Sequence, residues 1–413
     1  MRFALISLGC KVNRVESDSI ASALLAAGHE RCGLQDAQCV VINTCTVTGE
    51  AEKKARKAVR RALRENGAAP VYVTGCAVAI DKEAYGSLSP RVVAEADKGK
   101  VIEEIKGRFP QVGPSGRGGR ALRIGEGFPT RAGIKVQDGC NNACSYCIVN
   151  KARGKAWSKD ADEVEEEVLA YARGGVKEIV LTGINLGSYA WKGYGLAQLL
   201  ERLLEATEGI RLRVSSIEPC DVDEGLIALI AQGQGRICRH LHLPLQSGSS
   251  KVLGEMCRPY GAPAFLSLVE RLYREIPGLS LSTDVIVGFP GETDDDFEET
   301  LEAVRRCRFS KAHVFPYSKR AGTAAALRPD QVPPEVKAAR VARLTALCEG
   351  LRKADFEGRC GSQELVLVEK EGYGLTESYY HVHVPLDGAA GSLIPLTLGL
   401  SATGRAGKWP ASA

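Results

Sequence analysis

Short runs rich in aliphatic and β-branched residues, at 2–8, 39–43 and 70–74, are separated by stretches of helical period at 17–27 and 50–65. Strand alternating with helix predicts a parallel α/β sheet, because each helix returns the chain to start the next strand in the same direction. From 133 the pattern repeats about six times, with strands at 133–137, 178–182, 212–217, 241–245, 279–287 and 312–316. The helices between them fall at 161–172, 196–206, 224–232, 263–275 and 295–307. Six units do not close an eight-stranded barrel, so we expect an open, partial (β/α)6 barrel with its site at the carboxyl ends of the strands. Residues 87–133 are mixed, and Pro and Gly gather in 110–119, which reads as a linker. An amphipathic helix over 335–356 carries Val341, Leu344, Leu347 and Leu351, and alternating runs at 364–369 and 379–384 predict a small C-terminal β-barrel. The expected division is an α/β domain over 1–110, a linker over 111–132, the barrel over 133–357 and the β domain over 358–413.

The chain of 413 residues, 44% hydrophobic, has ample material for two or three cores. No apolar run approaches the roughly 20 residues of a membrane span, and the N-terminal apolar stretch is short for a secretory signal, so a cytoplasmic protein is expected. Fourteen cysteines then point to metal binding plus ordinary buried thiols rather than a disulfide framework. The formal charge of +4 permits a nucleic-acid partner without demanding one.

Cys140, Cys144 and Cys147 form a C-x3-C-x2-C loop directly after the first barrel strand. Three such thiolates can hold a 4Fe-4S cube but leave one iron open, and an open iron can chelate the amino and carboxylate groups of S-adenosylmethionine (SAM). Three further cysteines, Cys10, Cys45 and Cys76, each follow a predicted strand of the first domain. Any one of them can simply be a small residue filling a turn. Ligands of parallel sheets bind beyond the carboxyl ends of the strands, however, so the three together point to one shared site. Cys32 and Cys39 lack this placement and read as structural.

The chain resembles the radical SAM methylthiotransferases over nearly its whole length. The resemblance rests on Leu8-Gly-Cys-Lys-Val-Asn13 with Glu16-Ser17, on Asn43-Thr-Cys45, on Gly75-Cys76 and on Gly139-Cys-Asn-Asn-Ala-Cys-Ser-Tyr-Cys147 with Arg153-Gly154. It continues in Leu181-Thr-Gly-Ile-Asn-Leu-Gly187, Ser215-Ser-Ile-Glu-Pro219, His240-Leu-His-Leu-Pro-Leu-Gln-Ser-Gly248 and Thr283-Asp-Val-Ile-Val-Gly-Phe-Pro-Gly-Glu-Thr293. The Cys-Lys-Val-Asn start and the tail from Gly372 to Pro385 look most like the branch acting on N6-threonylcarbamoyladenosine beside the tRNA anticodon. The resemblance implies replacement of the C2 hydrogen of that adenine by a methylthio group, with two SAM consumed per product. It also implies two 4Fe-4S clusters: a radical SAM cluster on Cys140, Cys144 and Cys147, and an auxiliary one on Cys10, Cys45 and Cys76. Carried over residue by residue, Tyr146, Gly183, Asn185, Ser216, Glu218 and Gln246 line the SAM pocket. The plain alternative is that the glycines make tight turns and Glu218 caps a helix. A C-terminal RNA-binding domain, a tRNA anticodon-loop substrate and an electron-donor protein are implied partners.

For RNA, the helix over 50–65 turns Ala55, Val59 and Ala62 or Leu63 inward and Lys53, Arg56, Lys57, Arg60, Arg61 and Arg64 outward, without evident balancing acids. Such a face either neutralises phosphates or is simply solvated. Arg153, Lys155 and Lys159, just beyond the cysteine loop, are placed for substrate contact, and Tyr379, Tyr380, His381 and His383 can stack on bases or fill strand core. Asn150, Lys151 and Lys159 depart from the residues common in the family, and the tail beyond Pro385 is short of basic residues. Other readings are methylthiolation of isopentenyladenosine in tRNA or of a ribosomal-protein aspartate, and a non-catalytic iron-sulfur or zinc protein binding RNA.

Overall fold

The computed structural model describes residues 1–110, 130–233 and 235–399. Most of the expected linker, 111–129, lies outside the described residues, as does the tail from 400. The described residues gather in two compact units. One holds 1–110, 138–157 and 318–327; the other holds 130–137, 158–317 and 328–399.

The first unit is a five-stranded parallel sheet. Its elements are β1 (Arg2–Ser7), α1 (Lys11–Ala26), β2 (Glu30–Arg31), β3 (Cys39–Thr44), α2 (Gly49–Glu65), β4 (Val71–Gly75), α3 (Cys76–Ile80), α4 (Lys82–Gly86), β5 (Val92–Ala94) and α5 (Lys98–Arg108). Later chain adds α6 (Val149–Arg153). The strand order is β2-β1-β3-β4-β5. Every residue of β3 is buried, as a central strand covered on both faces requires. Val40 and Ile42 pack with Ala55, Val59 and Ala62 of α2, while Val41 packs with Phe3, Ile20, Leu24 and Ile105 of the elements on the opposite face. The order reverses between β1 and β3, and the crevice at such a switch point is where doubly wound sheets bind ligands. The first part of the mixed segment expected to be a linker, 87–110, instead holds β5 and α5. Three residues of β5 are too few for a period, and the helix is mostly polar, held by the side chain of its N-cap Asp97.

The second unit contains β6 (Arg131–Lys135), α7 (Ala161–Arg173), β9 (Glu178–Thr182), α8 (Leu196–Ala206), β10 (Arg211–Val214), α9 (Glu224–Gln232), β11 (His240–His242), α10 (Ser250–Glu255), α11 (Ala262–Glu275), β12 (Ser280–Val287), α12 (Asp294–Cys307), β13 (Lys311–Pro316) and α13 (Pro334–Arg359). Two-residue strands β7 (Gln137–Asp138) and β8 (Trp157–Ser158) mark where the chain passes from one unit to the other. β6, β9 and β10 pair in parallel, as do β11, β12 and β13. Parallel bridges Leu212–Ile237 and Ser216–His242 join the two sheets, giving the expected open run of six strands. Helix α10 escaped the pattern reading, since only Val252 and Leu253 of its six residues are buried.

The small β domain is an antiparallel sheet of β14 (Gln363–Lys370), β15 (Tyr373–Thr376), β16 (His381–His383) and β17 (Leu393–Thr397), ordered β16-β15-β14-β17. A buried ionic cluster ties it to the start of β9 and β10. Glu178, fully buried, accepts from Arg211 Nε at 2.7 Å and Arg213 Nε at 2.8 Å. The same guanidinium groups donate to the carbonyls of Leu365 (2.6 Å), Leu375 (2.9 Å), Thr376 (3.0 Å) and Glu377 (3.0 Å). Burial disfavours the Glu178 charge, yet Arg213 and Arg211 outweigh it and hold the carboxyl well below the usual range. Tyr379 and Tyr380, considered above as base-stacking residues, are structural. Tyr379 stacks on His240 with ring centroids 4.6 Å apart, and Tyr380 is buried with its hydroxyl on Asp355 at 2.7 Å.

Candidate functional site

In the first unit Cys10, Cys45 and Cys76 follow β1, β3 and β4, three adjacent parallel strands. Cys10 is the N-cap of α1, and Cys76 is the first residue of α3. Both are preceded by glycine for a steric reason. Gly9 has φ +99°, and a Cβ there would lie 2.3 Å from Cys45 Cβ; Gly75 has φ +93°, and a Cβ there would lie 2.4 Å from Asn43 Oδ1. Burial pushes the Cys45 thiol up to about 11, and neighbouring Cys10 and Cys76 push it further in the same direction. Burial likewise raises Cys76, with Cys10 adding to the effect and Arg153 opposing it. Cys45 and Cys76 thus each lie close enough to Cys10 to be influenced by it.

Helix α1 starts six residues before the predicted start at 17. Its first turns bury polar side chains, Asn13, Glu16 and Ser17, which hid the helical period from a reading based on apolar residues. Asn13 Nδ2 donates to Leu8 O at 2.9 Å and Thr44 O at 2.7 Å, while Asn43 Nδ2 donates to Asn13 O at 2.9 Å. These bonds lock the turns bearing Cys10 and Cys45 together.

Cys140, Cys144 and Cys147 lie in the same unit, all partly exposed. Backbone N–H groups of Asn142 and Val149 donate to Cys140 Sγ and Cys147 Sγ, each at 3.4 Å. The loop is braced by Cys140 N–H to Gly154 O at 3.2 Å and by Ala325 N–H to Ser145 O at 2.8 Å. Helix α6, after Cys147, packs on α3, which begins at Cys76.

Arg153 joins the two cysteine loops. Its Nη1 donates to Glu16 Oε1 at 3.0 Å and Asp138 Oδ1 at 2.9 Å, and its Nη2 to Asn13 Oδ1 at 2.5 Å and Glu16 Oε2 at 3.2 Å. The side chain is 5% exposed. Burial works against its charge, but Cys76, Glu16 and Asp138 keep it protonated. The expectation that Arg153 contacts RNA is corrected accordingly: its donors are engaged inside the protein. Asn13, Glu16 and Asp138 were not singled out as functional; the signal available was polar residues within short motifs beside cysteines.

Among the described residues no three His, Cys, Asp or Glu side chains are grouped to share a single metal ion. Each triad offers three thiols, the number that would suit a 4Fe-4S cube, which binds each thiolate to a different iron, whereas a structural zinc site takes four ligands.

In the second unit the five remaining candidate SAM residues sit at the carboxyl ends of consecutive strands. Gly183 and Asn185 follow β9, Ser216 and Glu218 follow β10, and Gln246 follows β11. A Cβ at Gly183 would lie 2.8 Å from Gln137 Oε1, which accepts from Asn185 N–H at 2.9 Å. Glu218 makes no side-chain cap, contrary to the plain alternative; its carboxylate pairs with Arg258. Burial raises the Glu218 carboxyl despite that arginine. Gln246 holds a left-handed backbone, φ +62°, through N–H to Asp284 O and its own carbonyl to Ile286 N–H. Tyr146 belongs to the first unit and is half-buried. Within the second unit, the side chains of Asn185, Ser216, Glu218 and Gln246 carry hydrogen-bond donors and acceptors at these strand ends.

On α2, Lys53, Lys57 and Arg60 are exposed and have no acidic partner among the described residues. Three of their neighbours do have one: Lys54 with Glu50, Arg56 with Glu52 and Arg61 with Glu65. The face is thus less free of acids than the sequence suggested. Lys155 is exposed, while Lys159 pairs with Glu167 at 2.5 Å.

Residues 134–304 match the Radical SAM superfamily and residues 2–94 match the Uncharacterized protein family UPF0004. The threonylcarbamoyladenosine tRNA methylthiotransferase MtaB of Bacillus subtilis is 39% identical over 399 residues, covering 91% of this chain and 86% of that protein. The tRNA-2-methylthio-N(6)-dimethylallyladenosine synthase of Pelotomaculum thermopropionicum is 34% identical over 393 residues, covering 90% and 87%. Among solved structures, the radical S-adenosylmethionine methyltransferase TsrM of Kitasatospora setae superposes with a TM-score of 0.55 at 16% identity, covering 79% of this chain and 77% of that one, a likeness of fold. No helix among the described residues is long and apolar enough to cross a membrane.

Proposed function

We propose a substrate and a cofactor complement for this chain, which belongs to the family of radical SAM tRNA methylthiotransferases. The substrate is N6-threonylcarbamoyladenosine next to the tRNA anticodon, the product its 2-methylthio derivative, and the complement two 4Fe-4S clusters and two SAM per turnover. The observation that carries this reading is the pair of cysteine triads in one compact unit, one at the ends of three adjacent strands and one in a single loop, with Arg153 bonded beside both. The relative named for threonylcarbamoyladenosine, at 39% identity against 34% for the dimethylallyladenosine one, supports the choice of base. When bound, the clusters supply an electron for reductive cleavage of SAM and a site for the sulfur that is transferred.

The remaining work falls to side chains. Cys140, Cys144 and Cys147 would hold the radical SAM cluster, and Cys10, Cys45 and Cys76 the auxiliary one. Tyr146, Gly183, Asn185, Ser216, Glu218 and Gln246 would bind and orient SAM, with Glu218 accepting from its ammonium. Lys53, Lys57, Arg60, Lys155 and Lys159 would neutralise tRNA phosphates, Lys159 only after leaving Glu167. Arg153 acts in this reading as a positioning residue. A cytoplasmic electron-donor protein completes the reaction, the N-terminal domain serves the auxiliary cluster, and the C-terminal β domain serves RNA.

Expression of this chain in a strain unable to methylthiolate tRNA, followed by mass spectrometry of tRNA nucleosides, tests the substrate. The 2-methylthio form of N6-threonylcarbamoyladenosine is expected. Appearance of methylthio-isopentenyladenosine instead would refute the choice of base.

A further inference from the structure

The inner face of the second unit's open barrel carries an aromatic and acidic stripe that none of the roles above uses. On β13, Ala312 and Val314 pack into the core between sheet and helices, so strand alternation turns His313 and Phe315 to the opposite, inner side. Both are exposed there, Phe315 at 39%. A single exposed phenylalanine is ordinary, but this ring lies nearly parallel to that of His313, with centroids 6.3 Å apart and planes 25° apart. In register beside them on β12 stand Asp284, opposite His313, and Ile286, opposite Phe315. Asp284 is partly exposed and lies 3.4 Å from His242 Nε2 on β11. Towards the amino ends of the strands the face is closed by Tyr379 stacked on His240.

We propose that Phe315 and His313 are a stacking platform for the adenine that this enzyme modifies, with Asp284 accepting a hydrogen bond from an N–H on the edge of the modified base. The assignment rests on the reading that a tRNA adenine is the substrate. Two aligned rings on an open inner wall suit a planar heteroaromatic ligand that extends the stack, and an acceptor one row deeper suits an edge that bears N–H. An aliphatic occupant would gain nothing from the alignment of the rings.

The test compares anaerobically reconstituted full-length protein with its Phe315→Ala and Phe315→Tyr variants. Each is titrated with an anticodon stem-loop RNA bearing N6-threonylcarbamoyladenosine and with the same RNA carrying an abasic site, read by fluorescence anisotropy, and separately with SAM. In the wild type the intact base should tighten binding over the abasic RNA. Phe315→Ala should shrink that ratio roughly 5- to 150-fold, the equivalent of ~1–3 kcal/mol of stacking at ~1.4 kcal/mol per tenfold, and Phe315→Tyr should restore most of it. A ratio unchanged in Phe315→Ala overturns the proposal, most clearly if SAM affinity falls instead, which would give the ring to the adenine of SAM. A stem-loop with isopentenyladenosine separates the two readings. If it outcompetes the threonylcarbamoyl RNA while Phe315→Ala still collapses the base-dependent ratio, the choice of modified base fails and the platform stands.

Discussion

Replacing Arg153 by methionine should unlock both cysteine loops of the first unit together. The guanidinium is 5% exposed and bonds Glu16, Asp138 and Asn13, whose two carboxylates are themselves 5% and 10% exposed. Methionine fills much of the volume but leaves those carboxylates without their shared cation. Breaking a buried pair from one side costs about 3–5 kcal/mol. We take the lower end, about 3 kcal/mol, because Glu16 keeps Lys98 at 3.2 Å and Asp138 keeps the Gly139 N–H at 2.8 Å. At ~1.4 kcal/mol per tenfold, local opening becomes about 10²-fold more frequent. Hydrogen exchange followed by mass spectrometry on cluster-free protein reads this directly. Peptides over 8–17 and 138–154 should exchange faster by that factor, and peptides over β14 and β15 should not change. Arg153→Lys keeps a charge without the planar fork and should fall between. Arg153→Met combined with Glu16→Gln and Asp138→Asn should recover part of the loss, since no buried charge is then left unpaired. Exchange unchanged in either loop would refute the reasoning.

Other consequences follow from the same geometry. Gly9→Ala forces a Cβ to 2.3 Å from Cys45 at φ +99°, so after reconstitution it should retain only about half of the wild-type iron, measured colorimetrically; full iron would argue against the close approach. Glu178→Gln leaves Arg211 and Arg213 buried without their carboxylate and should cost about 3–5 kcal/mol, seen as faster limited proteolysis after α13; a wild-type digestion rate would contradict it. The folded carboxyl of Glu178 is depressed, so its contribution is present above the ordinary carboxylate range and lost as pH falls below it. Burial pushes Cys238 and Cys348 up to about 11 from 9.0, so the unfolded chain loses these protons first and the melting temperature of metal-free protein should fall as pH rises from 9 to about 11. A double Cys238→Ala, Cys348→Ala variant should flatten part of that decline, and an identical slope would refute the assignment.

The barrel was readable because its strands and helices keep clean periods: β9, α8 and α9 fall at their predicted bounds, each with apolar residues turned to one core. Where polar residues are buried the period fails. The first turns of α1 hide behind Asn13, Glu16 and Ser17, and β15, which holds a glycine against Val366 and Leu367, carried too little pattern to be seen. For the site, cysteine spacing was informative because ligation demands particular residue types at short range. The sequence shows Arg153 as a motif residue and a positive charge beside the loop; that it turns inward depends on Glu16 and Asp138, which are distant from one another in sequence. For Tyr379 the sequence leaves base stacking and core packing both open, because the partner that decides between them, His240, is far away in the chain.

Two separate open triads of thiolates are the claim on which the rest depends, and iron counting on paired variants tests it most directly. Anaerobically reconstituted wild-type protein should hold about eight irons, and the Cys10→Ala, Cys45→Ala, Cys76→Ala and the Cys140→Ala, Cys144→Ala, Cys147→Ala triple variants about four each. Four irons in the wild type, with one triple variant no different from it, would contradict the account.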